Sequence, residues 1–83
     1  MDIFETSARI LSAALEGASR ARIMTLHQHL RHDEIEWLLK TLVDRNLLEL
    51  DSHSTYWTAV NGVKFLEVRF NLERILQLQK TLV

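Results

Sequence analysis

The sequence contains no cysteine and no proline, and only two glycines among its 83 residues. Aromatic residues are also sparse: two Trp, one Tyr and three Phe. Without thiols there are no disulfides and no thiolate metal sites, a composition that fits a reducing compartment. With no proline, and glycine only at 17 and 62, nothing resembles a flexible linker or a low-complexity tract. No apolar run approaches the ~20 residues a helix needs to span a bilayer. The opening Met1-Asp2-Ile3-Phe4-Glu5 is acidic where a secretory signal carries positive charge. These shortages predict a soluble, cytoplasmic protein with no membrane partner. The chain also lacks a glycine-rich phosphate loop, a Ser/His/Asp order and a repeated carboxylate–histidine motif. So small a core leaves little room for a substrate cavity. The expectation is a non-enzyme with no cofactor and no small-molecule substrate.

Basic excess is missing as well. The net charge is −1, whereas domains that bind nucleic acid by bulk electrostatics are usually clearly positive. The acids crowd the middle of the chain: Asp33, Glu34, Glu36, Asp44, Glu49 and Asp51 face only Arg31, Lys40 and Arg45. Residues 52–83 reverse the balance, with Lys64, Arg69, Arg74 and Lys80 against Glu67 and Glu73.

A chain of this length forms one folding unit that buries only about 60–65% of its unfolded surface. Chains so small often depend on disulfides, a metal or a partner. With cysteine excluded, a His/carboxylate metal site or oligomerisation remains. His27, His29 and His32 stand close together with Asp33 beside them, suitable ligand types for zinc or nickel. Their spacing spans a helix end and a turn, and no metal site is assigned.

Helical periodicity dominates what is present. Phe4, Ala8, Leu11 and Leu15 predict a first helix over residues 3–16, ended by Gly17. Ser19 is placed to cap a short second helix over 20–27, with Ile23, Met24 and Leu26 inward. Ile35, Leu38, Leu39 and Leu42 form the buried stripe of a third helix over 32–45, closed by Asn46. Residues 47–51 and 55–58 read as two short strands around a polar turn. Thr58 then caps a last helix over 59–82, roughly 35 Å long at 1.5 Å per residue. The predicted fold is mainly α with a small β-hairpin: a winged helix-turn-helix over 1–58, followed by a long C-terminal dimerisation helix over 59–83.

Three segments carry a family likeness. They are residues 10–24, ending Gly17-Ala18-Ser19-Arg20-Ala21-Arg22-Ile23-Met24; Leu42-Val43-Asp44-Arg45-Asn46-Leu47-Leu48-Glu49; and Tyr56-Trp57-Thr58-Ala59-Val60-Asn61-Gly62-Val63-Lys64-Phe65-Leu66. In this order the chain resembles the small archaeal winged-helix proteins, transcription regulators and chromatin-associated proteins, that dimerise through a C-terminal antiparallel coiled coil. The resemblance implies a homodimer that contacts double-stranded DNA with its third helix and its wing. The chain departs from the family at Asn46, where Gly is usual, and at Arg31, where Ser or Thr often caps the third helix; here Asp33 is expected to take that cap. The third helix is also acidic where the family's is basic or polar.

On this reading Ser19, Arg20 and Arg22 position the protein on phosphate. Arg31, His32, Glu36 and Lys40 are available to bases, Glu36 as an acceptor from cytosine N4. His53 extends the wing. The alternative is a winged helix that binds protein rather than DNA. Taking Ile35 as origin and ~100° per residue, Asp33, Trp37 and Asp44 fall near 160°, 200° and 180°, away from the core stripe. An outward Trp flanked by acids is a protein-contact feature. The last helix has too many apolar residues for one domain-facing stripe. Phe65, Leu72, Ile75, Leu76 and Leu82, interrupted by Arg69 and Gln79, read as a homodimer seam.

Overall fold

The computed structural model describes the backbone of residues 1–82 and the side chains of residues 1–77. The chain is mainly helical, with a small three-stranded antiparallel sheet.

Helix α1 (Ile3–Ala13) starts at Asp2, whose carboxylate accepts the Glu5 amide at 3.1 Å. It buries Thr6, Ser7, Ala8, Ile10 and Leu11. The predicted stripe fails at both ends. Phe4 is 73% exposed, because it projects past the core edge and stacks on Phe65 with ring centroids 6.3 Å apart. Leu15 is half exposed, because the helix tightens after Ala13 into a 3-10 turn (Ala14–Glu16). At about 3.0 residues per turn instead of 3.6, that turn rotates Leu15 off the α-helical face. Gly17 ends the turn at φ +86°.

The chain then forms a strand absent from the sequence reading, β1 (Ala18–Ser19). Helix α2 (Arg20–Leu26) follows, with the Ser19 hydroxyl accepting the Arg22 amide at 3.1 Å, as the capping pattern predicts. Ile23 is fully buried and Met24 packs at the core edge. Leu26, expected inward, is half exposed, and His27 one position on takes the buried place.

Helix α3 (His32–Asp44) buries Ile35, Leu38, Leu39 and Leu42, the predicted stripe. Its start differs in detail. The Glu34 carboxylate reaches back to accept the Arg31 amide at 3.4 Å, and Asp33 accepts the Glu34 amide at 3.0 Å. Asp33 therefore lies within the first turn and is not the cap. The end is as expected: Asn46 is left-handed at φ 62°, and the Leu47 amide donates to the Leu42 carbonyl at 2.9 Å.

Strands β2 (Leu48–Leu50) and β3 (Thr55–Thr58) form the hairpin. The sheet order is β1-β3-β2, with Ala18 opposite Tyr56 and Leu48 opposite Thr58. Helix α4 (Val60–Leu82) runs on from β3. Thr58 does not cap it. Still in the strand, its hydroxyl donates to the Leu11 carbonyl at 2.5 Å, closing the end of α1 onto the sheet.

Ile10, Leu11, Ile23, Ile35, Leu38 and Leu48 form the fully buried centre. Phe65 and Leu66 join it from α4, and Gly62 brings that helix against the Leu47 carbonyl. Among the described residues no helix is long and apolar enough to cross a membrane.

Candidate functional site

Two surfaces stand out, one polar and one apolar. Both are set by α3, whose buried stripe anchors it and leaves its remaining flanks free.

The polar surface begins where Ser19 starts α2. Arg20 forms an ion pair with Glu36 of α3. With Leu39, Lys40, Val43, Asp44, Leu50 and Tyr56, these two residues line a hollow of about 320 Å³ between α3 and the sheet. Two cations, Arg20 and Lys40, meet two anions, Glu36 and Asp44, so the hollow holds no net charge. The Arg20–Glu36 pair is half exposed, a setting in which ion pairs contribute less than about 1 kcal/mol. A phosphate could draw Arg20 away from Glu36 without a large penalty.

The structure thus gathers Arg20, Glu36 and Lys40 of the predicted DNA set around the hollow, while Ser19 caps α2 beside it without lining it. Arg22, Arg31, His32 and His53 are exposed but do not line the hollow. Arg31 pairs with Asp33 at 3.0 Å at the head of α3. His53 sits at the hairpin tip, its amide donating to Asp51 at 2.8 Å.

Sequence reasoning missed Asp51, which organises that tip. One carboxylate oxygen accepts the His53 and Thr55 amides, at 2.8 and 2.9 Å, and the other accepts the Trp57 indole N–H at 2.9 Å. The signal was available in Asp51-Ser52-His53-Ser54-Thr55, where an Asp opening a polar turn bonds the amides ahead of it. The Thr55 amide, then the Trp57 indole, hold the Asp51 carboxyl below its ordinary value of 3.8. Since the folded value is depressed, the order this group adds to the hairpin is complete above 3.8. It is lost as pH falls through the lowered folded value. The Trp57 indole N–H resonance in an NMR titration should stay fixed down to that range and move only below it. A midpoint above 3.8 would contradict the hydrogen-bonded carboxylate.

The apolar surface lies on the other flank of α3 and along α4. Trp37 is 52% exposed and lines a groove with Ile3, Phe4, Thr41, Arg45 and Phe65. A second groove, of about 660 Å³, is bounded by Phe4, Lys64, Phe65, Val68, Arg69 and Leu72. The two share Phe4, Leu47, Asn61 and Phe65, so they are one continuous surface. Trp37 and Asp44, grouped by the sequence reading, therefore line different hollows, and Asp33 lines neither.

Of the predicted dimer seam, Phe65 is half-buried against the core, while Leu72, Ile75 and Leu76 are exposed. Val68, absent from the predicted set, is exposed on the same face. Arg69 pairs with Glu5 of α1 at 2.6 Å and with Glu73 at 3.3 Å, tying α4 to α1. The side chains of Gln79 and Leu82 lie outside the described residues.

The histidines do different things. His27 is buried, with Nδ1 2.9 Å from the Ile23 carbonyl, an acceptor, so Nδ1 carries the proton. Among the described residues its Nε2 has no hydrogen-bond partner. The His27 and His29 rings lie 6.2 Å apart, and no three metal-ligating side chains converge among the described residues.

Neither the known protein-family models nor the curated proteins gave a match to this chain.

Proposed function

We propose that this protein is a homodimeric winged-helix protein that binds double-stranded DNA, as a transcription regulator or a chromatin-associated protein. The observation that carries the reading is the placement of α3. Its core stripe is buried, its outer residues are exposed, and it stands beside the sheet with the Ser19-capped start of α2 against it through Arg20 and Glu36. In this reading α3 enters the major groove, the hairpin is the wing, and Arg20 and Arg22 rest on phosphate. The near-neutral hollow favours modest affinity that relies on few phosphate contacts.

An anisotropy titration on generic duplex, repeated at several salt concentrations, tests this. Binding is expected at low salt, and the affinity should fall steeply as salt rises. Arg22→Ala should weaken binding to all sequences alike and reduce the salt slope by about 0.9, the contribution of one phosphate contact on B-DNA. Absence of binding at low salt would remove the DNA reading.

Dimerisation is supported by Val68, Leu72, Ile75 and Leu76, exposed along a helix that continues past the core. Sedimentation of the intact chain should give a dimer at micromolar concentration. Leu72→Glu, which places a charge in the seam, should give a folded monomer.

A further inference from the structure

We propose that the joined groove formed by Ile3, Phe4 and Trp37 with Phe65, Val68 and Leu72 receives a second copy of this chain. The dimer is then sealed by α1 and α3 as well as by α4. The inference rests on the homodimer reading above and extends it to residues outside the last helix.

Three observations carry it. The first is extent. Ile3, Phe4, Trp37, Val68, Leu72, Ile75 and Leu76 are each about half exposed or more, and the first five line the shared surface. Side chains of this size leave on the order of 100 Å² each uncovered, together close to the ~800 Å² per partner that a stable interface buries. That exceeds the roughly 300–600 Å² of the largest apolar patch on a typical monomer.

The second is self-complementarity. The chain supplies a concave part, where Phe4 stacks on Phe65 above Leu47. It also supplies a ridge, where Ile75 and Leu76 continue along α4 beyond the groove's residues. A two-fold interface brings the same patch of each copy together, so each ridge can fill the other copy's groove.

The third is charge. Arg69 is the charged residue between Phe65 and Leu72 on the groove wall, and Glu5 and Glu73 neutralise it within the chain. Lys64 and Arg45 stand among the lining residues as the remaining cations. A centre free of unpaired charge with polar residues at the edge is the anatomy of a protein interface. It also gives Trp37 an occupant: the partner copy covers its ring.

The test uses the full-length chain. Sedimentation equilibrium is run on the wild type, Phe4→Ala, Trp37→Ala and Leu72→Glu, with circular dichroism to establish that each is folded. The inference expects Phe4→Ala and Trp37→Ala each to weaken the dimer at least tenfold with the helical signal unchanged. Because Phe4→Ala also removes a stack on Phe65, a second measurement leaves the groove intact. In Trp57→Phe, Trp37 is the sole tryptophan, and its emission should move to longer wavelength as dilution dissociates the dimer. If Leu72→Glu is monomeric while Phe4→Ala and Trp37→Ala dimerise like the wild type, the seam is confined to α4 and the inference falls alone. An unchanged Trp37 emission across the dissociation has the same meaning. A wild-type chain that stays monomeric up to 100-fold above the micromolar range removes the dimer reading and the inference together.

Discussion

Gly62→Ala should destabilise the fold by about 2–3 kcal/mol, the upper part of the range for inserting a methyl into a packed site. Alanine normally favours a helix over glycine by about 1 kcal/mol, so the sign here is decided by packing. A Cβ at Gly62 would lie 2.3 Å from the Leu47 carbonyl oxygen and 2.7 Å from the Thr58 methyl. That carbonyl cannot swing aside freely, because it accepts the Ala59 amide at 3.0 Å at the start of α4. Relief therefore requires α4 to lift from the β2 junction, which loosens Phe65 and Leu66 from the core. For a domain of this size each kcal/mol corresponds to roughly 4–8 °C in Tm, so the midpoint should drop by about 10 °C or more. Asn71→Ala, an exposed position on the same helix, is the control and should leave Tm unchanged or slightly raised. If Gly62→Ala matched that control, the close approach of α4 to Leu47 would be wrong.

Gly17→Ala should be the next most damaging change, by about 1–3 kcal/mol for a non-glycine residue held in this backbone region. Gly17 sits at φ +86° and ψ 131°, and its missing Cβ faces the Trp57 ring at 2.9 Å. The strain and the ring contact can be separated. Trp57→Leu removes the ring, so the double variant should recover the contact part of the loss and keep the backbone part. Thermal or urea unfolding of the two single variants and the double variant gives this coupling directly. Additive losses would mean that the Trp57 ring does not rest on Gly17. The ring is also steadied by Asp51 through its indole N–H, so Gly17, Trp57 and Asp51 join β1, β3 and the hairpin tip in one contact series.

These two glycines differ in how legible they were. Gly17 was readable as a stop, since a glycine after an apolar helical stretch commonly takes a left-handed conformation. Its contact with Trp57, 40 residues away, was not. Gly62 offered no local signal, because a glycine inside a helix looks only unfavourable until the neighbour that requires it is known.

The polar surface shows the same division. The Ser19 cap and the α3 stripe follow from contacts within four residues and were predicted correctly. The pairing of Arg20 with Glu36 joins two helices, and it changes what the charges mean. Counted along the chain, Arg20 is a free phosphate contact and Glu36 a free acceptor for cytosine N4; paired, each is engaged by the other.

By itself the sequence determined the helical segments, the left-handed stops at Gly17 and Asn46, the hairpin and the α3 core. These depend on local periodicity, capping and backbone sterics, which act over a few residues. Only the tertiary structure decided the strand at Ala18–Ser19, which exists because Tyr56 and Thr55 pair with it. It also set the engagement of Thr58 with Leu11 and of Arg69 with Glu5. It turned Trp37 toward α1 and Asp44 toward the sheet. Each of these depends on which surfaces meet when α1, α3 and α4 close around a shared core, and no single-helix pattern encodes that.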